Sequence, residues 1–240
     1  LVTGDDHLGY KVIERTPLAV DHRGINVLTN PPPSSGGVLI AAALSAVDGT
    51  AVRDDAGFYR QIARAGAQAN AMRDSRFARG LSQPGLVEEL LARAAVSRTP
   101  TGTTHASAID ADGGMASLSS SCGSGSGVIV PGTGILLNNM AGEDDLNPHG
   151  FGRLDAGTRM TSMMAPTLLV RDGEPLAALG SAGSNRLRSA IVQTVVNLVD
   201  RGLDLADAIN RPRVHAEGGT LDVEGGIADD VAAALTADGH

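Results

Sequence analysis

The sequence is poor in aromatic residues and in cysteine, and each shortage excludes a class of protein. Its 240 residues include no Trp, two Tyr and three Phe. Together with a formal net charge of -8, this argues against a nucleic-acid partner, because such a surface needs a basic face and stacking rings. The single cysteine, Cys122, excludes an internal disulfide framework and a zinc site of several thiolates. No apolar run approaches the roughly 20 residues of a membrane span.

Several motifs of cofactor and metal chemistry are missing as well. Lys11 is the only lysine, so the chain has no phosphate-binding loop of the G-x-x-x-x-G-K-[ST] type. The glycine-serine segment at 123–127 lacks the strand–turn–helix setting of a dinucleotide site. There is no G-x-S-x-G elbow, and the six histidines show no paired ligand spacing. The sequence therefore predicts neither a cofactor nor a metal.

Glycine is what the chain has in excess, at 31 residues, about twice the ordinary usage of roughly 7%. With 42% hydrophobic and 19% charged residues, the composition is typical of a globular protein. The length is compatible with one large domain. We therefore expect one folded domain in which many backbone positions lie in tight turns.

The residue patterns predict strands with helices segregated around them. Alternation and turn residues favour strands at 11–20, 25–29, 104–110, 115–121, 128–130, 135–137, 160–170 and 175–180. Helical spacing favours helices at 38–47, 54–79, 86–96, 186–199 and 205–209. This order indicates an α+β fold or a layered sandwich rather than a parallel doubly wound sheet.

The character of the chain changes at 97–102, a small polar segment with proline and glycine that is typical of an exposed, cleavable connection. Thr103 follows it directly. If the peptide bond before Thr103 is cut, its Oγ becomes a nucleophile, and its own α-amine, with a pKa of about 8, can act as the base. The pair Thr103-Thr104 also fits the plain start of a β-strand, and on residue types alone both interpretations stay open.

Six motifs in a fixed order resemble the γ-glutamyltransferase (γ-glutamyltranspeptidase) family. Two of them, R-G at 23–24 and P-P-S-S-G-G at 32–37, resemble the last third of that family's large subunit. The other four resemble its small subunit: T-T-H-A-S-A-I-D at 103–110, P-G-T-G-I-L-L-N-N at 131–139, S-M-M-A-P-T at 162–167 and G-S-A-G-S-N-R at 180–186.

The resemblance implies an α+β fold of the N-terminal-nucleophile (Ntn) hydrolase type, a four-layer αββα sandwich that is truncated at both ends. Residues 1–240 would form one domain, cut between Gly102 and Thr103. Residues 1–102 would end the large-subunit region, and 103–240 would form the small-subunit region, so the two pieces of one precursor would be partners. The implied activity is cleavage of a small γ-glutamyl amide such as glutathione, through an ester on Thr103.

The resemblance also implies roles for individual residues. Beside the nucleophile Thr103, Ser121 would supply a hydroxyl that hydrogen-bonds it, and the backbone of Gly183 and Ser184 would form the oxyanion hole. The implied substrate-binding residues are Asn139, Asp145 at the α-amino group, and Ser162 and Met163 at the α-carboxylate.

Two departures from the family pattern leave alternatives open. Met163 stands where the family has a second serine, and Gly123 stands where it has an asparagine. Both changes favour a less polar acyl group, as in an Ntn acylase that acts on β-lactam side chains. A catalytically inert, unprocessed homologue or fragment is the third interpretation, because an uncut Thr103 has no free amine.

Overall fold

The computed structural model describes residues 4–47, 54–73, 77, 81, 103–143, 146–147, 150–153, 155 and 157–239. The helices of these residues are α1 Gly4–Leu8, α2 Ser35–Ala46, α3 Asp55–Asn70, α4 Arg186–Val199, α5 Leu205–Asn210 and α6 Asp229–Ala237. The strands of the same residues are β1 Leu18–His22, β2 Ile25–Thr29, β3 Thr103–Ile109, β4 Met115–Ser121, β5 Thr167–Arg171, β6 Glu174–Leu179, β7 Val214–Glu217 and β8 Thr220–Val223. A 3₁₀ turn spans Met140–Gly142.

The main sheet is antiparallel, with the strand order β1-β2-β5-β6. Its hairpins β1–β2 and β5–β6 close through Arg23-Gly24 and Asp172-Gly173, where all four residues have positive φ. Such two-residue turns match the right-handed twist of the strands they join. Because β2 precedes residue 102 and β5 follows Thr103, the two regions of the chain share one sheet.

The hairpin β3–β4 lies against this sheet and carries Thr103 at its first position. Its turn is held by Asp110, whose Oδ1 accepts hydrogen bonds from the backbone N–H groups of Asp112 (3.0 Å) and Gly114 (2.7 Å). The Ser117 hydroxyl donates to the Leu179 carbonyl at 2.9 Å, and β3 and β4 both pack on β6. The hairpin predicted from the Asp-Gly turn is confirmed.

Helix α2 is the centre of the hydrophobic core, and ten of its residues are buried. It packs against α3, α4 and β1, which explains why it is apolar on every side. Gly36 and Gly37 allow its first turn to touch the backbone, since a Cβ at either position would overlap the carbonyl oxygen of Met163 or Asn30, respectively. The core thereby fixes the segment around residue 163 to the start of α2.

The mixed α and β class predicted from the sequence is confirmed, whereas several bounds differ. The strand expected at 11–20 is regular only from Leu18, and the helix expected at 54–79 ends at Asn70. The strands expected at 128–130 and 135–137 reduce to one isolated bridge between Ile129 and Leu136. The helix predicted at 86–96 lies outside the described residues. None of the helices in the described part of the chain is long and apolar enough to cross a membrane.

Candidate active site

Thr103 and Ser121 face each other at the open end of the β3–β4 hairpin. They are directly paired in the strand register, and both are half-buried. Opposite residues of an antiparallel pair have Cβ atoms about 4.5–5.5 Å apart on the same face of the sheet. The two hydroxyl-bearing side chains predicted to act together are therefore neighbours. Gly102, the other residue of the expected cleavage site, lies outside the described residues.

The loop that follows Ser121 brings Asn139 to the same end of the hairpin. The Gly123 N–H donates to Ser121 Oγ at 3.0 Å. Asn139 Oδ1 accepts from the Ser124 N–H at 2.8 Å, and the Asn139 N–H donates to the Cys122 carbonyl at 3.3 Å. Asn139 is thus bound to the backbone immediately after the Thr103–Ser121 pair.

Glu143 lies beside Asn139 and Gly123, and sequence reasoning did not point to it. Its side chain is buried, and the residue is only 8% exposed. A Cβ at Gly123 would overlap both Asn139 Oδ1 and Glu143 Oε1, so these two oxygens occupy the space that a side chain at 123 would take. The sequence signal for this contact was Gly123 itself, one of the two departures noted in the resemblance above. Asp145, the acidic residue expected here, lies outside the described residues.

Ser162 and Met163 are adjacent in sequence, but their side chains lie in different surroundings. Ser162 lines a cavity of about 770 Å³, together with Asn30, Asn138 and Arg159. Met163 is 4% exposed and belongs to the hydrophobic core. Ser162 therefore lines the cavity and Met163 does not, so any apolar character of this cavity comes from other residues, among them Met160 and Met164.

The backbone around Ser162 is held by the serines that begin α2. Its carbonyl accepts hydrogen bonds from the Ser35 hydroxyl at 3.0 Å and the Gly36 N–H at 3.2 Å. The Ser34 hydroxyl donates to the Met164 carbonyl at 2.9 Å. Ser34 is the N-cap residue of α2 but makes no side-chain cap, because its hydroxyl is used on this neighbouring segment.

The turn at Gly183 and Ser184 leads into α4 and has unusual backbone angles. Their φ values are +114° and +55°, and a positive φ is uncommon for a residue other than glycine. The two carbonyls accept from the N–H groups of Arg186 and Leu187, each at 3.3 Å. The carbonyls of both residues are thereby bonded to the first turn of α4.

His105 connects this turn to the strand that begins at Thr103. Its ring lies against Gly180, where any Cβ would overlap the ring. Since His105 is two residues after Thr103 and Gly180 is three residues before Gly183, this contact brings the two segments close together. The ring nitrogens lie 2.9 Å from the hydroxyls of Ser107 and Ser119. Burial lowers the pKa of His105 below its ordinary 6.5, which favours the neutral ring.

A buried ionic cluster anchors the far side of the same turn, and no motif in the sequence pointed to it. The Glu217 carboxylate lies 3.3 Å from Arg73, 3.7 Å from Arg188 and 2.9 Å from His215 Nε2. Arg73 also donates to Asn185 Oδ1 at 3.4 Å, and Asn185 directly follows Ser184. We refer to Arg73, Arg188, His215 and Glu217 as the Glu217 cluster.

The described residues around this site do not form a set of metal ligands. Within the part of the chain that the structure describes, no group of three or more His, Cys, Asp or Glu side chains is placed to hold a metal ion. The chemistry available at the hairpin end is that of hydroxyls, a carboxylate and backbone N–H groups. Such a set is suited to acyl transfer.

Comparison with known proteins gives three consistent findings. The family model described as Gamma-glutamyltranspeptidase matches residues 82–240. The glutathione hydrolase proenzyme of Escherichia coli (strain K12) is 30% identical over an alignment 282 positions long, gaps included, which covers 100% of this chain and 49% of that protein. The acylase ACY 1 proenzyme of Pseudomonas sp. (strain V22) is 31% identical over an alignment 267 positions long, gaps included, which covers 100% of this chain and 48% of that protein.

A solved structure is also similar to this chain over its whole length. The crystal structure of cephalosporin acylase from Bacillus halodurans matches with a TM-score of 0.78 and 26% identity, covering 100% of this chain and 48% of that one. The chain spans about half the length of the curated relatives it matches.

Proposed function

Because the chain belongs to the gamma-glutamyltranspeptidase family, we propose that the complete protein is a proenzyme that cuts itself before Thr103 and then transfers or hydrolyses γ-glutamyl groups. In the first step, Thr103 Oγ attacks the carbonyl carbon of Gly102 and the C–N bond between the two residues breaks. The resulting ester takes up water. The products are a carboxylate on Gly102 and a free α-amine on Thr103.

The new α-amine is the base of the second reaction. It takes the proton from Thr103 Oγ as the oxygen attacks the amide carbonyl of a γ-glutamyl compound such as glutathione. The proton passes to the leaving amine when the C–N bond breaks, and a γ-glutamyl ester remains on Thr103. Water or an acceptor amine then attacks the ester and restores the free hydroxyl.

The oxyanion that forms in each attack needs hydrogen-bond donors. In this proposal, they are the backbone N–H groups of Gly183 and Ser184. Loss of one such donor costs about 10²–10³ in rate in known enzymes. The contact of His105 with Gly180 supports this assignment, because it links the two ends of the proposed site through short stretches of chain.

The observation that carries the proposal is the pairing of Thr103 with Ser121 at the strand ends. Ser121 Oγ accepts a hydrogen bond from the Gly123 N–H, and in this proposal the Ser121 hydroxyl orients the amine or Oγ of the nucleophile. The cavity to which Ser162 contributes its hydroxyl is the proposed place for the substrate's carboxylate.

Thr103→Ala tests the proposal in the full-length protein. We expect the variant to stay uncut and inactive, while Thr104→Ala, which removes an exposed hydroxyl on the next residue, is cut and active. Intact-mass spectrometry after prolonged incubation reads the cleavage, and release of p-nitroaniline from γ-glutamyl-p-nitroanilide reads the activity. Cleavage and activity in Thr103→Ala would overturn the proposal.

A second candidate is an amide acylase that uses the same nucleophile. It is favoured by the likeness to the cephalosporin acylase over the whole of this chain and by the 31% identity to the acylase proenzyme. Hydrolysis of glutaryl-p-nitroanilide, which lacks the α-amino group, distinguishes the two. A clear preference for the glutaryl compound over the γ-glutamyl compound selects the acylase.

A further inference from the structure

Ser189, His215 and Glu217 form a chain of hydrogen bonds that the proposed function does not use. The Ser189 hydroxyl lies 2.5 Å from His215 Nδ1, and His215 Nε2 lies 2.9 Å from Glu217 Oε2. A carboxylate only accepts hydrogen bonds, so Nε2 carries the hydrogen, and in the neutral ring Nδ1 accepts from the serine hydroxyl. The order of hydroxyl, imidazole and carboxylate is that of the nucleophile, the base and the orienting acid in serine hydrolases.

The buried side chain of Gln193 holds the helix that carries Ser189 against the strand that carries His215. Its Nε2 donates to the Ser189 carbonyl at 2.9 Å and to the Val214 carbonyl at 2.8 Å, and its Oε1 accepts from the Val214 N–H at 3.0 Å. Val214 directly precedes His215. The hydroxyl and the ring are therefore fixed relative to each other by the fold, which lowers the entropy cost of bringing a nucleophile and its base together.

The carboxylate behind the histidine is fixed by two arginines. Glu217 Oε1 lies 3.3 Å from Arg73 and 3.7 Å from Arg188, while Oε2 faces His215. The Glu217 side chain is only 1% exposed, so it is held in this orientation by the interior of the protein. The hydrogen bond from Nε2 to Oε2 in turn keeps Nδ1 directed at Ser189.

The serine and the histidine both line a cavity of about 350 Å³. Small-molecule pockets have volumes of about 300–1,000 Å³, so a small ligand fits at this place. Ser189 is half-buried, which leaves part of its side chain open to such a ligand. The cavity is also lined by two basic and two acidic side chains: Arg186, Arg213, Asp222 and Glu224. Because these four charges balance, the cavity favours a small uncharged ligand over an ion.

We propose that Ser189 is a second nucleophile, which takes an acyl group from small uncharged carboxylic esters and does not depend on Thr103. Ser189 Oγ attacks the ester carbonyl carbon as its proton passes to His215 Nδ1. The C–O bond to the alcohol breaks, the alcohol leaves with that proton, and an acyl ester remains on Ser189. Water then attacks the acyl ester, its proton passes through Nδ1 to Ser189 Oγ, and the carboxylic acid is released. No step requires cleavage of the chain before Thr103.

Diisopropyl fluorophosphate tests the proposal, because this uncharged probe loses fluoride to an activated serine hydroxyl and remains as a stable phosphate ester. It is added to the full-length protein and to its Thr103→Ala variant, in which the other proposed nucleophile is absent. We expect peptide mass spectrometry to locate the added mass on the peptide that contains Ser189 in both proteins. Absence of this label, or its persistence on the same peptide in Ser189→Ala, would overturn the proposal.

Hydrolysis of p-nitrophenyl acetate measures turnover at the same serine. In the Thr103→Ala background, we expect Ser189→Ala to lower the enzymatic rate about 100-fold, the lower end of what a positioned base contributes. Ser189→Thr keeps a hydroxyl beside His215, and we expect it to retain the label and part of the rate.

The matched control is Ser45→Ala. Ser45 is an exposed serine on α2 whose hydroxyl donates to the Ala41 carbonyl at 2.9 Å, and its loss should leave the ester hydrolysis unchanged. Circular dichroism checks that the variants are folded. Equal rates in folded Ser189→Ala and Ser45→Ala would contradict the proposal. Labelling that follows Ser189 in a protein that neither cuts itself nor cleaves γ-glutamyl amides would refute the proposed function alone.

Discussion

Removing the charge at the centre of the Glu217 cluster should destabilise the protein strongly. The Glu217 side chain is only 1% exposed and has Arg73 and Arg188 on one oxygen and His215 on the other. Glu217→Gln keeps the size of the side chain but leaves buried guanidinium groups without their shared carboxylate. The variant therefore tests whether this cluster holds the segment after α3 together with α4 and β7.

The expected loss of stability in Glu217→Gln follows from the burial of the Glu217 carboxylate. Breaking a buried ion pair by removing one partner costs about 3–5 kcal/mol. For a chain of this length, each kcal/mol shifts the melting temperature by about 2–4 °C, so we expect Tm to fall by roughly 6–20 °C. Because Arg73 also holds Asn185, the turn at Gly183 and Ser184 should exchange its amide hydrogens faster.

Thermal unfolding followed by circular dichroism measures the loss. The matched control is Glu224→Gln, which breaks an ion pair to Arg213 at 3.2 Å in which both side chains are more than a third exposed. An exposed pair contributes about 0–1 kcal/mol, so the control should melt within a few degrees of the parent. A Tm for Glu217→Gln no lower than that of the control would refute the argument.

Two other substitutions have defined outcomes. Gly123→Ala adds a Cβ that overlaps Asn139 Oδ1 and Glu143 Oε1. We expect it to lose more stability in urea unfolding, and more activity, than Gly127→Ala, because Gly127 has a similar positive φ but open space around it. Equal losses in the two variants would contradict the close contact at Gly123. Burial raises the pKa of Asp200, but hydrogen bonds from His22 and Arg23 outweigh it and hold that pKa below 3.8. The folded state therefore binds this proton more weakly, and the stabilisation is complete above pH 3.8 and is lost as the pH falls through the lowered pKa. Asp200→Asn should flatten the acid limb of a Tm-against-pH curve, and an unchanged acid limb would contradict this.

The elements that the sequence predicted well are those with local signals. The hairpin that begins at Thr103 follows from its Asp-Gly turn, and the helix at Arg186–Val199 has the amphipathic spacing that the structure realises. The pair β7–β8 gave no such signal, because β7 is buried at all four positions yet includes His215 and Glu217. The polar residues there are explained only by partners far along the chain.

The same distinction applies to the candidate site. The Thr103–Ser121 pairing could be predicted, because it depends on the register of one hairpin. The contact between Glu143 and Gly123 could not, since it depends on how a loop of some twenty residues returns to the end of β4. The core position of Met163 was equally hidden, because it is determined by the close approach of Gly36 to the Met163 carbonyl.

The most direct test of the account is the chemical state of Thr103 in the full-length protein. N-terminal sequencing and intact-mass spectrometry, before and after a short incubation with a γ-glutamyl amide, read it in one experiment. We predict a fragment whose first residue is Thr103, and a transient mass increase of one γ-glutamyl group on the peptide that begins there. A chain that remains joined through Gly102 and Thr103 and takes up no acyl group would contradict the central claim.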